Sequence, residues 1–90
     1  MTQNELVARL RESYLQLTAA LANSRTLKTE ILPKADTVLK TAEARYAAGD
    51  ASLVEILPVR RDRAVVQLTY LESLRDVMQA WAGLQPYVRR

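Results

Sequence analysis

The sequence predicts an all-α fold, a long antiparallel helical hairpin with coiled-coil arms. Three observations predict it. Apolar residues recur in steps of three and four over two long stretches, the spacing that aligns one face of a helix. Between the stretches a helix-stop signal, Gly49, stands just before a helix-start signal, Ser52. Only 2 glycines and 3 prolines occur in 90 residues, which leaves little material for loops. The 49% hydrophobic share contains no Phe and is largely Ala and Leu, a composition suited to thin helix–helix seams rather than a thick core.

The first arm is expected over about residues 3–48. Thr2 with Glu5 has the spacing of a capping box, and Asn4 is an alternative cap. Val7, Leu10, Tyr14, Leu17 and Leu21 form a heptad seam, with Arg9, Arg11, Glu12 and Gln16 outside it. Polar residues at 23–26 interrupt the seam. Leu27, Ile31, Ala35, Val38, Ala42 and Tyr46 resume it. Pro33 removes one backbone donor and disfavours helical geometry at Leu32, so a kink or short break is expected near residues 31–34. An unbroken arm of about 45 residues would span roughly 65–70 Å. A helix of that length needs partner helices along it.

The tip falls at residues 49–51. Gly49 can adopt the left-handed conformation that closes a helix C-terminus. Ser52 then caps the second arm, with Glu55 three residues on in a second capping-box pattern. That arm is expected over about residues 52–84. Leu53, Leu57, Ala64, Leu68, Leu71, Leu74, Met78, Trp81 and Leu84 trace its apolar face, and Arg60, Arg61, Arg63, Glu72, Arg75 and Asp76 take mostly other positions. Pro58 lies past the first turn, where one hydrogen bond is lost and a local bend is expected. Gly83 and Pro86 mark the helix end, with a basic tail at Arg89 and Arg90. The run at 64–70 has β-branched content, but the helical period around it prevails.

Composition removes several function classes. Cys and His are both absent, so disulfides, thiol chemistry, imidazole bases and the usual zinc ligands are excluded. Ser13, Ser24, Ser52 and Ser73 therefore have no imidazole to activate them. Asp50 and Glu55 suit turn and cap roles better than an acid–base pair. The chain is expected to be no enzyme and to hold no cofactor or metal. The net charge of +3 is too mild for a nucleic-acid binder. The Arg60-Arg61-Asp62-Arg63 cluster is interrupted by an acid and has no interleaved aromatics, so it reads as a solvated helix face. No stretch reaches the ~18–20 apolar residues of a membrane span. The first residues, M-T-Q-N-E-L-V, lack a signal peptide's basic-then-apolar layout. Neither membrane insertion by this segment nor an export signal in it is expected.

The apolar residues at the tip are the most informative. Leu53, Val54 and Ile56 cluster at the end of a narrow hairpin. They either cap the first arm or form an exposed docking surface. Tyr46 either staples the turn or faces a partner. Trp81, at helical spacing, reads as packing.

The stretch R-Y-x-x-G-D-x-S-L-x-E-I-L, with L-x-Y-L-E-S-L-R-D after it and I-L-P-K-A-D-x-x-L-K-x-A before it, resembles the C-terminal repeat of the TolC-like outer-membrane efflux protein family. The resemblance covers about residues 6–84 and centres on Arg45, Tyr46, Gly49, Ser52, Leu53, Glu55 and Leu57. It implies a trimeric channel with an outer-membrane β-barrel and a periplasmic α-barrel of antiparallel coiled coils. It also implies that the hairpin tips meet a periplasmic adaptor protein, which links the channel to an inner-membrane pump. By position, Gly49 is the tip glycine, and Tyr46, Asp50, Ser52, Leu53, Val54 and Ile56 surround it as adaptor contacts.

One departure is Pro58, where relatives commonly carry a polar, helix-favouring residue. A second is that 90 residues hold neither barrel strands nor a first repeat. The expected reading is the periplasmic hairpin region of a channel subunit, as a fragment or a truncated relative. The alternative is a free-standing helical interaction domain, or a self-associating coiled coil, unrelated to transport.

Overall fold

The computed structural model describes residues 2–88; the basic tail expected at Arg89 and Arg90 lies outside them. The order of elements is α1 (Gln3–Thr26), a π-helical turn (Leu27–Ile31), α2 (Leu32–Ala47) and α3 (Leu53–Val88), with no strand among the described residues. The all-α class and the chain reversal between α2 and α3 are as the sequence predicts. At the start of α1, the Glu5 N–H donates to Thr2 Oγ1 at 3.2 Å, so Thr2 is the cap. The helices form two compact units. One joins the residues up to Arg25 to those from Glu72 onward; the other is Thr26–Leu71.

In the first unit, the shielded residues of α1 are Leu6, Ser13, Leu17, Ala20 and Ser24. Those of α3 include Ser73, Val77, Ala80, Leu84 and Tyr87, again in steps of three and four. In the second unit, Leu27, Leu32, Ala35, Leu39 and Ala42 are shielded on one arm, and Ile56, Val59, Arg63, Val66 and Tyr70 on the other. These differ from the predicted seams. Val7, Tyr14 and Leu21 are exposed, and so is the whole predicted face of α3 except Leu84. Hydrophobicity alone selects the stripe with the largest side chains. A two-helix seam instead favours residues that let the backbones approach, at interaxial distances of about 8–10 Å. Ala20, Ser24, Ser73 and Ala80 do so.

The π-helical turn explains how α1 takes its register. The Leu32 N–H donates to the Leu27 carbonyl, five residues back instead of four. Shielded positions accordingly step by five there, from Leu27 to Leu32, between regular steps of three and four. Suppose the helix were uniform: each residue turns it by about 100°. The α2 seam, continued upstream from Leu32, would then run through Lys28, Arg25, Leu21, Thr18, Tyr14, Arg11 and Val7. Three cations would face the partner helix, at the desolvation cost that buried charge carries. With the extra residue, the shielded positions are Leu27, Leu17 and Leu6 instead. Pro33 then stands in the first turn of α2, where its missing N–H costs least. The break thus lies at 27–31, just upstream of the predicted 31–34, because the turn before Pro33 is the part that widens.

Two ion pairs fix the antiparallel pairing in the second unit. Arg63 Nε donates to Asp36 Oδ1, and Arg63 Nη1 reaches Gln67 Oε1 at 3.1 Å. Arg60 Nε lies 3.9 Å from Glu43 Oε1. Two members of the Arg60–Arg63 cluster therefore bind the opposite arm instead of lying on a purely solvated face. Both pairs are partly exposed, so each contributes at most about 1 kcal/mol. Their value is in selecting register. At the other end, α3 continues through Gly83 and Pro86 to Val88, beyond the predicted stop near 84. Gly83 does not take a positive φ, and Pro86 removes a single donor.

Deleting Lys28 should convert the π turn into ordinary helix without disturbing either seam. Helicity by circular dichroism should persist, with stability within about 0.5 kcal/mol of the parent chain. A lost cooperative melt would show that the turn is not a one-residue insertion.

Candidate functional site

The tip is built by a backbone hydrogen-bond pattern that requires a left-handed residue. Gly49 has φ of +82°, the one positive φ among the described residues. The Asp50 N–H donates to the Arg45 carbonyl at 2.8 Å, and the Gly49 N–H to the Tyr46 carbonyl at 3.1 Å. These 6→1 and 5→2 bonds define a Schellman closure. It satisfies two carbonyls that would otherwise be orphaned at the helix end. Arg45 adds a third tie: its Nη2 donates to the Asp50 carbonyl at 3.3 Å. The residue that accepts at the closure thus also clamps the link leaving it.

Ser52 stands immediately before α3. Its backbone carbonyl accepts the N–H groups of Glu55 and Ile56 at 3.1 and 3.2 Å. The reciprocal side-chain bonds of the predicted Ser52–Glu55 box are not among the hydrogen bonds of the described residues. The helix start is where the sequence places it, but backbone geometry holds it.

The predicted tip residues separate into two groups. Leu53 is 49% exposed and Val54 79%, and Tyr46, Gly49, Asp50 and Ser52 are exposed beside them. Ile56, predicted among the docking side chains, is 1% exposed and is the most deeply buried large residue described. It begins the α3 seam that continues with Val59 and Arg63. Its place as a surface contact is therefore corrected: it anchors the apex from within, and burial of that side chain contributes about 1.5–3 kcal/mol. Leu57, about one helical turn beyond Leu53 and outside the predicted set, is also exposed. Arg45 was equally outside that set. The sequence offered a signal for it, the R-x-x-x-G spacing that brings its side chain over the closing turn.

Pro58 lies within α3, where it has no N–H to give the Val54 carbonyl. That carbonyl belongs to a highly exposed residue, so water can serve it. No cluster of acidic side chains suited to a metal ion occurs among the described residues. The apex offers shape and apolar surface, not reactive groups.

The sequence matches the outer membrane efflux protein family over residues 1–88. The chain belongs to that family. No curated protein and no solved structure gave a match. Outer membrane efflux proteins are components of outer-membrane efflux channels, a transport family and not an enzymatic one. In general they trimerise and work with adaptor proteins at the outer membrane and periplasm. No helix among the described residues is long and apolar enough to cross a membrane.

The Gly49 site is open enough for a side chain, since nothing lies within 4 Å of an added Cβ. Gly49→Ala should therefore cost only the backbone term, about 1–2 kcal/mol, and lower the thermal midpoint. An unchanged midpoint would show that the tip does not depend on the left-handed conformation.

Proposed function

We propose that this outer membrane efflux protein segment forms part of the periplasmic α-barrel wall of a channel subunit. Its apex docks a periplasmic adaptor protein in a tripartite efflux system. The observation that supports the docking reading is the exposure of Leu53 and Val54 on the first turn of α3, next to a closure held by three hydrogen bonds. Apolar side chains on a rigid, narrow apex are costly in water and suit a protein contact. Rigidity also reduces the entropy lost on binding. Tyr46, Gly49, Asp50 and Ser52 form the polar and aromatic rim of this contact.

The wall reading has separate support. The largest apolar residues of α3 point away from its own hairpin seam, as expected of a helix with neighbours on two sides. The family's general trimeric assembly and its outer-membrane and periplasmic placement support this reading. Substrates pass along the assembled tube, so this segment carries no catalytic residue and no cofactor.

Replacing Leu53 or Val54 with Asp should weaken binding to the adaptor of the same efflux system by about tenfold or more while leaving helicity unchanged. Unaltered affinity in both variants would overturn the docking role. Asp at Ile56 should instead reduce helicity and stability, which separates a surface effect from a folding effect.

A further inference from the structure

The two residues that lead from the closure to Ser52 have few restraints of their own. Asp50 is tied back through its N–H, which donates to the Arg45 carbonyl at 2.8 Å. Ala51 makes no backbone hydrogen bond to either arm among the described residues. The Ser52 carbonyl accepts only from Glu55 and Ile56, inside α3. Between these points one further tie reaches the link. Arg45 Nη2 donates to the Asp50 carbonyl at 3.3 Å. Arg45 therefore holds Asp50 from both sides, taking its N–H on the main chain and its carbonyl on the side chain. The two bonds fall on the peptide planes before and after the Asp50 Cα. A residue has only two soft torsions, and they relate those two planes. Fixing both planes fixes Asp50.

We infer that Arg45 is the positioning residue of the apex: by pinning the 50–51 peptide it sets the direction in which Leu53 and Val54 are presented to a partner. This rests on the docking reading above and names what controls the geometry of that site. Leu53 and Val54 stand on the first turn of α3, just beyond the link. A turn about the Asp50 torsions swings that first turn relative to the end of α2. Without the side-chain bond the apex samples more orientations, and a partner that accepts one of them binds more weakly. The fold does not depend on this bond. Ile56, 1% exposed, anchors α3 in the seam below it. Loss of the Arg45 side chain loosens the link and leaves the arms paired.

The full chain and Arg45→Met are compared by amide exchange in NMR and by binding to the adaptor of the same efflux system, with Leu53→Asp as the control for docking. In Arg45→Met the Asp50 N–H should exchange about fivefold faster or more, while the Gly49 N–H, bonded to Tyr46 at the helix end, stays within about twofold of the parent chain. Helicity should not change, and adaptor affinity should fall about threefold or more. Unchanged exchange at Asp50 overturns the inference, whatever the adaptor does; weaker binding without it would mean that Arg45 touches the adaptor directly. Equal acceleration at Gly49 and Asp50 overturns it too, since Arg45 would then stabilise the helix end in general. Faster exchange at Asp50 with unaltered affinity, where Leu53→Asp does weaken binding, leaves docking standing and removes Arg45 from its control. Unaltered affinity in Leu53→Asp and Arg45→Met alike takes away the docking reading, and this inference with it.

Discussion

The fold depends on one constraint, the reversal of the chain at a residue that must have positive φ. Gly49 meets it, and the bonds from Asp50 to Arg45 and from Gly49 to Tyr46 make the reversal tight. Because the turn is short, the level of each residue on α2 against its neighbour on α3 is set within a few residues. The Glu43–Arg60 and Asp36–Arg63 pairs then become possible, and Ile56 is directed into the seam while Leu53 and Val54 are left outside. The exposed apex is thus a geometric consequence of the closure. Val54, two residues before Ile56, points about 160° around the helix from it and cannot face the opposite arm as well.

The π-helical turn solves a second problem on the same arm. Two heptad stripes overlap in α1, and the one in phase with α2 contains Arg11, Arg25 and Lys28. One added residue brings the other stripe into phase. The result leaves Val7, Tyr14 and Leu21 outside. On α3 the division is sharper: a seam that includes Ile56, Val59, Ser73 and Ala80 faces the hairpin, and a Leu-rich stripe with Met78 and Trp81 faces away. A single hairpin satisfies only one stripe of each helix. The channel wall proposed above, in which each helix has neighbours on both sides, would satisfy both.

What the sequence made legible follows from which signals are local. Gly49 and Ser52 act through backbone geometry and Thr2 through its side-chain cap, each within one turn, so the tip and both helix starts could be read from spacing. The break near Pro33 was legible for the same reason, although its form was not. The choice of seam is not local. Leu57, Leu71 and Met78 outrank Val59, Ser73 and Ala80 in hydrophobicity, yet the closer helix approach goes to the smaller residues. Ile56 was misplaced by the same cause, since its membership of the tip in sequence concealed its phase on the helix. Arg45 acts on a carbonyl five residues away, so its R-x-x-x-G spacing gains that meaning only once the closure is formed.

The hairpin requires antiparallel apposition of residues on either side of the apex. Glu43 and Arg60 are the clearest reporters, with side-chain atoms 3.9 Å apart. A dilute chain carrying Glu43→Cys and Arg60→Cys, treated with a short thiol-reactive cross-linker, should give an intramolecular product as its main species. A continuous helix through residue 49 would hold those positions about 26 Å apart. It would yield only intermolecular product, and that result would contradict the hairpin and everything built on its apex.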